Sequence, residues 1–374
     1  MRLAASSALI LALSIAGARA ADYTVGVYYY PWYSNDFHGG NYLRERLVPP
    51  QLPALGEYND RDSEVIRQHA EWARFAGIDL WVASWWGPGS REDNTLKDHT
   101  FQSPDLGSLK IALFYETAGR TSEFTNYTRT TADIEHIADT YFNHPNYYRI
   151  GGRPVLFVYL TRVLSSLGTL DEVVADMRAA ALSKGHDLFI IGDEVFGFPP
   201  GDPGNIGLLD AITEYDVYGS MGRTGYATQQ GVNDYKARQL GWKALADALG
   251  VGYAPSVTPG FNDKGVREGH APVSRKLSAA SEFGSLFRAL LRDAKDRTDP
   301  DIGNLILVTS WNEWHEDTQI EPVAPAPPTS ADDSPLGNEY TEGLEYEGYG
   351  MRYLEILREE AGINESGVEA WGLY

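Results

Sequence analysis

Residues 24–33, Thr-Val-Gly-Val-Tyr-Tyr-Tyr-Pro-Trp-Tyr, separate two folds that the rest of the chain would otherwise share. The β-branched and aromatic run TVGVYYY (Thr24–Tyr30) reads as a buried strand. A doubly wound nucleotide-binding sheet would follow its first strand with a glycine-rich phosphate turn. Here the strand runs into Tyr-Tyr-Pro-Trp-Tyr instead, which favours a closed barrel. Seven further runs of the same kind follow: Asp79–Trp85, Lys110–Tyr115, Pro154–Tyr159, Leu188–Gly192, Ala211–Tyr215, Gly252–Val257 and Leu305–Ser310. They are continuously apolar rather than alternating, which suits parallel strands covered on both faces. Helices are predicted between them over Ser63–Ala76, Thr131–Tyr141, Leu170–Ser183, Val232–Leu249, Ser281–Arg297 and Tyr349–Ala361. Thr131 and Ser281 are read as N-caps, and Gly77, Gly250 and Gly362 as C-terminal glycines. Eight strands alternating with helices predict an α/β (β/α)8 TIM barrel with elaborated βα loops, one domain over residues 21–374. The crossovers after Trp85 and Gly192 carry Gly/Pro-rich loops in place of long helices. Residues Glu321–Asn338, rich in Pro, Ala, Ser and Asp, read as an irregular loop.

Composition narrows the function. The chain has 374 residues, 43% hydrophobic and 22% charged, which is globular. With 31 Lys and Arg against 52 Asp and Glu, its net charge is −21. Such a surface repels phosphate backbones and anionic lipid, so neither nucleic acid nor a membrane surface is expected as a partner, while a neutral sugar is compatible. There is no cysteine, which excludes disulfides, iron–sulfur clusters, thiolate–zinc sites and thiol nucleophiles. Arg2, the apolar run Leu9–Ile15 and the small-residue site Ala18-Arg19-Ala20 predict a signal peptide cleaved after Ala20, hence a periplasmic or secreted protein with no membrane anchor once the leader is removed.

In such a barrel the active site forms at the C-terminal ends of the strands. Those ends carry Tyr29, Tyr30, Trp32 and Tyr33; Trp85 and Trp86; Tyr115 and Glu116; Tyr159 and Arg162; Asp193 and Glu194; Tyr215, Asp216 and Tyr218; Asn262 and Asp263; and Trp311-Asn312-Glu313-Trp314-His315-Glu316. Aromatic rings pack on the C–H face of a pyranose and carboxylates accept its hydroxyls, so a carbohydrate site is expected. At least one of Tyr28 and Tyr29 should be core, because neighbours on a strand face opposite ways. The Glu313/Glu316 pair carries the strongest signal. Two carboxylates close together in a partly apolar cleft do not both ionise easily, which provides an acid and a base. A solvated acidic loop is the alternative, and the flanking Trp311 and Trp314 weigh against it. No second histidine stands at ligand spacing from His315 and no H-E-x-x-H helix exists, so no metal or other cofactor is expected; His315 is read as a sugar contact. No G-x-S-x-G elbow supports a serine hydrolase.

The segments Tyr28–Tyr33, Gly77-Ile78-Asp79 with Ser84–Gly89, and Ser310–Pro322 (SWNEWHEDTQIEP) together resemble glycoside hydrolase family 99, the endo-α-1,2-mannosidases and endo-α-1,2-mannanases. The resemblance runs from about residue 24 to the last helix. It implies a (β/α)8 barrel, retention of anomeric configuration, no metal, and an α-mannose-containing oligosaccharide or polysaccharide as partner. It also implies that the substrate's own 2-hydroxyl is the nucleophile, with Glu313 as its base and Glu316 as acid and then base. Tyr30, Trp32, Trp85, Trp86, Glu116, Tyr159, Tyr215, Tyr218, Asn312 and His315 are the expected sugar-contacting residues, and the chain is expected to act as a monomer. Three positions depart from the family's pattern: Glu116-Thr117-Ala118 stands for Glu-Pro-Tyr, Asp317 for Gly, and Trp311 for Phe. Two other readings stay open on the residues alone: a glycosyltransferase-like barrel of polysaccharide biosynthesis, which would need the cytoplasm, and a non-catalytic glycan-binding barrel.

Overall fold

The computed structural model describes residues 23–120, 127–222 and 225–361. The signal-peptide reading and Gly362 therefore lie outside the described residues. The barrel strands are β1 Thr24–Tyr29, β2 Leu80–Trp85, β3 Lys110–Tyr115, β4 Arg153–Val158, β5 Phe189–Asp193, β6 Ala211–Thr213, β7 in two pieces (Gly252–Tyr253 and Ser256–Val257), and β8 Leu305–Val308. All neighbours pair in parallel, β1 lies between β2 and β8, and the order runs round to β6. The seventh strand closes the ring. Its first piece pairs with β6 and its second with β8. Between the pieces stands Pro255, which has no N–H to give to a ladder; its carbonyl accepts from Leu307 N (3.0 Å).

The flanking helices are α1 Ser63–Ala76, α2 Thr130–Ile137, α3 Leu170–Ser183, α4 Thr228–Leu249, α5 Ser285–Lys295 and α6 Arg352–Glu360. Asp62 caps α1 by accepting from Glu64 N, and Gly77 and Gly250 end α1 and α4 in the left-handed conformation that their position in the sequence predicted. The two predicted N-caps are corrected. α2 starts one residue before Thr131 with no side-chain cap, and α5 starts after a left-handed Gly284, while the Ser281 hydroxyl bonds Ser278. The Pro-rich stretch also departs from expectation. Val323–Thr329 (β9) pairs antiparallel with Tyr346–Gly350 (β10), its proline-bearing register interrupted twice.

Both Tyr28 and Tyr29 are core. Tyr29 stacks on Trp81 (4.4 Å between centroids), and Tyr28 packs against Phe114 and Tyr215. This aromatic floor is close-packed, so the groups above it have fixed positions. Among the described residues no helix is long and apolar enough to cross a membrane.

Candidate active site

Beyond β8 the chain folds back on itself. Ser310 N donates to the Thr318 carbonyl (2.8 Å) and the Ser310 carbonyl accepts from Ile320 N (2.9 Å). Inside this loop the Ser310 hydroxyl accepts from Glu313 N (2.8 Å). Glu313 then caps a single helical turn, Trp314–Glu316, its Oε1 accepting from His315 N (3.0 Å). The three-residue spacing of the glutamates is thus the spacing of one short turn. Tyr33 anchors the turn from β1: its hydroxyl donates to the Asn312 carbonyl (2.6 Å) and accepts from Trp314 N (3.2 Å).

Glu313 is almost wholly buried. Burial pushes its carboxyl above the ordinary range, against the hydrogen bond from His315, and the charge of Glu316 pushes the same way. His315 donates through Nε2 to the Gly40 carbonyl (3.0 Å), which leaves Nδ1 without a hydrogen-bond partner, 3.7 Å from Glu313 Oε1. Burial would lower this imidazole; the neighbouring Glu313 carboxylate and the Gly40 carbonyl outweigh it and raise it.

Glu316 is held from the opposite side. Its Oε2 accepts from Tyr218 (2.8 Å) and Tyr215 (3.2 Å), and its Oε1 from Arg267 Nη1 (2.9 Å). Tyr30 donates to the Tyr215 hydroxyl (2.7 Å), so two phenols hold the carboxylate and a third backs one of them. Glu116, at the end of β3, accepts from Ser84 (2.7 Å), which accepts from Trp86 Nε1 (2.9 Å). Burial lifts Glu116 to about 8, and Glu313, Asp193 and Glu316 add to it by charge. Trp86 packs where Gly119 has no side chain; a Cβ there would collide with the indole.

A cavity of about 350 Å³ opens over this arrangement, lined among others by Trp32, His38, Gly40, Arg267, Glu313 and His315. Its size is in the range of small-molecule sites. The structure brings together Tyr30, Trp32, Tyr215, Tyr218, His315 and both glutamates. Half-buried Tyr159 packs edge-on against Tyr215 (5.7 Å), and Glu116 joins through its charge. Two expected contacts are corrected. Trp85 is fully buried, its Nε1 donating to Asp93 (2.9 Å), because its side chain points to the opposite face of the strand end from that of Ser84. Asn312 is fully buried too; its amide accepts from Tyr30 N (2.7 Å) and donates to the Tyr30 carbonyl (3.0 Å), so it ties β1 to the loop and does not face the cleft.

Sequence reasoning missed His38 and Arg267. His38 lies flat on Trp32 (4.5 Å, 7°). The run Phe37-His-Gly-Gly-Asn41 next to Trp32 was the available signal. Arg267 is an isolated basic residue in a long loop and gave none. The departure at Asp317 has a clear setting. Asp317 is left-handed (φ 48°), a conformation that suits glycine and that Asp tolerates. Its buried carboxylate meets Arg44 Nε (2.5 Å) and Arg275 Nε (3.2 Å). Among the described residues no three His, Asp or Glu side chains are grouped to hold a metal ion.

Comparison with known proteins agrees with this geometry. The model of the family "Glycosyl hydrolase family 99" matches residues 47–333, which include the glutamate turn. The glycoprotein endo-α-1,2-mannosidase of Mus musculus is 26% identical over 339 residues, covering 81% of this chain and 69% of that protein. The glycoprotein endo-α-1,2-mannosidase-like protein of Homo sapiens is 26% identical, covering 80% and 68%. The crystal structure of an endo-α-mannosidase of the same family from Bacteroides thetaiotaomicron superimposes with a TM-score of 0.58 at 21% identity, over 91% of this chain and 98% of that one. The chain belongs to glycosyl hydrolase family 99 and is a glycoside hydrolase with a (β/α)8 barrel fold.

Proposed function

We propose that this protein is an endo-acting α-mannoside hydrolase that cleaves internal α-1,2-mannosidic linkages and retains anomeric configuration. The observation that carries the reading is a pair of glutamates on a single turn in different settings: Glu313 lines the cavity, and Glu316 is held by Arg267, which lines it too. The relatives named endo-α-1,2-mannosidases support the linkage.

In the first step Glu313 takes the proton from the 2-hydroxyl as that oxygen attacks the anomeric carbon. Glu316 gives its proton to the departing oxygen, and a 1,2-anhydro sugar forms. In the second step Glu316 takes a proton from water, the water oxygen opens the three-membered ring at the anomeric carbon, and Glu313 returns its proton to O2. Two inversions give retention. Burial raises the proton affinity of Glu313, which makes its ionised form a stronger base toward the 2-hydroxyl. The His315 imidazole, its Nδ1 3.7 Å from Glu313 Oε1, favours the charged form of Glu313 when it is itself protonated. The phenols of Tyr215 and Tyr218 fix Glu316 for its own transfers. Trp32, which lines the cavity with His38 flat on it, supplies apolar surface for a pyranose. We also propose export, on the strength of residues 2–20; an intact Met1 in the secreted protein would refute that.

The test is incubation with α-1,2-branched mannan and glucosylated mannose oligosaccharides, followed by identification of the released sugars and their first-formed anomer. Internal cleavage with the α-anomer formed first supports the reading. Release of terminal monosaccharides alone, or of the β-anomer first, overturns it.

A further inference from the structure

The loop after β5, Glu194–Asn205 (EVFGFPPGDPGN), leaves two phenyl rings in solvent at the end of the barrel that carries the glutamates. Phe196 is 42% exposed and Phe198 78%. Exposed aromatic surface is costly in water and, where it is contiguous, marks a binding surface. These rings are also held in place. Gly197 stands between them in a left-handed conformation (φ 59°), its N–H donating to Ser220 Oγ (3.0 Å) and its carbonyl accepting from Trp242 Nε1 (3.1 Å). Pro199 sits against Gly241 of α4, where a Cβ would come within 3.2 Å of the proline ring. A guanidinium backs each phenyl: Arg162 over Phe196 (4.9 Å) and Arg238 over Phe198 (5.7 Å). Both arginines are fixed in turn, Arg162 by Asp193 (2.8 Å) and Arg238 by the Ser220 carbonyl (2.7 Å).

The same partners lead to the active site. Ser220 ends the short helix Val217–Ser220, which carries Tyr218 and so its bond to Glu316. Asp193 accepts from Tyr215 N (2.9 Å), and Tyr215 also reaches Glu316. The loop that carries the rings is therefore tied by hydrogen bonds to the residues that hold Glu316. We propose that Phe196 and Phe198 form an accessory sugar-binding rim, which stacks on the C–H faces of pyranose units of a long α-mannoside beyond those held at the cleft. A pyranose suits it because it is neutral and offers an apolar face, whereas an anionic bilayer would be repelled by Asp202 in the same loop and by a chain of net charge −21. The sugar's identity rests on the mannoside reading above; the rim itself rests on the two rings.

The experiment is native electrophoresis of the full chain through gels containing α-1,2-branched mannan, with Glu316→Gln throughout to prevent cleavage. It compares Phe196 and Phe198 present against Phe196→Ala/Phe198→Ala. Both rings are exposed, so the double variant should unfold at the parent's temperature. Retardation should weaken roughly tenfold, since each aromatic contact contributes a factor of a few. With Glu316 restored, the double variant should lose kcat/KM on mannan while turnover of a short oligosaccharide is unchanged. Unchanged retardation, or a parent that the mannan does not retard, overturns the rim. Phe-dependent retardation in a parent that hydrolyses no α-mannoside keeps the rim and refutes the proposed function. Phe-dependent binding to a protein or to vesicles, without retardation by mannan, would also overturn it.

Discussion

Removing the charge of Asp317 should weaken the whole glutamate loop, and the structure sets the size of the effect. The carboxylate is fully buried between Arg44, itself 0% exposed, and Arg275. Arg275 also donates to the Asp317 and Gln319 carbonyls (2.7 and 3.0 Å), so the arginine it anchors holds the loop backbone. Stripping one partner from a buried ion pair costs about 3–5 kcal/mol, because the remaining charge stays desolvated. Replacement by glycine returns about 1 kcal/mol, since it suits the left-handed backbone better than Asp does. Asp317→Gly should therefore lose about 2–4 kcal/mol, and at roughly 2 °C per kcal/mol for a chain of this length the melting temperature should fall by about 4–8 °C. Asp317→Asn, which tolerates the same backbone but carries no charge, should lose a similar amount. Burial would raise the Asp317 carboxyl, but Arg275 and Arg44 outweigh it and hold it below its ordinary value. A depressed carboxyl stabilises the fold above its unfolded value, near pH 4, and that stabilisation is lost as pH falls through the folded value. Calorimetry of parent and variants from pH 7 downward should thus show the curves converging in acid. A shift under 1 °C at pH 7, or a gap that persists unchanged in acid, would refute the argument that charge pairing holds this loop.

Glu316→Gln should lower hydrolysis of natural glycans by about 10²–10⁴-fold and do less damage with an activated leaving group, whereas Glu313→Gln should be severe with both. Equal, mild effects would demote the pair to a structural role. Trp85→Ala should cost about 3–5 kcal/mol of stability because it empties a buried site and removes one of the hydrogen bonds to Asp93, while Trp32→Ala should weaken sugar binding with little change in melting temperature; the opposite pattern would exchange their roles. Glu116, raised to about 8, binds a proton in the fold that the unfolded chain releases above about pH 4.5. Stability should accordingly fall as pH rises from about 5 to 8, and Glu116→Gln, which can still accept from Ser84, should flatten that slope in a pH series of melting curves.

Much of this was legible because burial dictates composition. Continuous apolar runs can only be strands covered on both faces, so all eight barrel strands were found, with β3 at the boundaries read from sequence and the others shifted by a residue or two. The break in β7 was hidden: GYAPSV reads as one run, and only pairing shows that Pro255 hands the strand from one neighbour to the other. The glutamate pair was legible because two tryptophans flank it, and both proved to be buried supports for the loop. What sequence could not divide was which side of a strand end each aromatic takes. Trp85 and Trp86 are adjacent, yet one is wholly buried on Asp93 and the other half-buried, its Nε1 on the Ser84 hydroxyl that donates to Glu116. Asn312 looked like a ligand contact because it sits beside Glu313, and its amide instead binds the backbone of Tyr30, 282 residues away. Arg267 shows the same limit, since a lone arginine in a long loop has no pattern to reveal the carboxylate it reaches.

The cleft's electrostatics follow from these placements and narrow what can enter. Glu116, Glu194 and Glu214 are lifted to about 8, 7 and 8, each chiefly by burial, and Asp193 adds to all three by charge. Asp193 is paired with Arg162, and Glu316 with Arg267. At the mouth of the barrel Glu116, a buried carboxyl that tends to keep its proton, stands with Asp193 and Glu316, whose cations are already engaged, while Glu194 is bound by Ser165 and Glu214 by Ser220, Tyr235 and Gln239. An anionic ligand would find Arg162 and Arg267 already paired and the acids Glu116, Glu313 and Glu316 against it. A hydroxylic ligand can donate to a carboxylate or accept from a protonated carboxyl or a phenol, so it fits either protonation state without bringing charge into a low-dielectric site. A neutral polyol with one apolar face meets all these conditions at once. That is how an excess of acidic residues, which at the level of composition only excluded partners, becomes at the level of the site a preference for uncharged sugar.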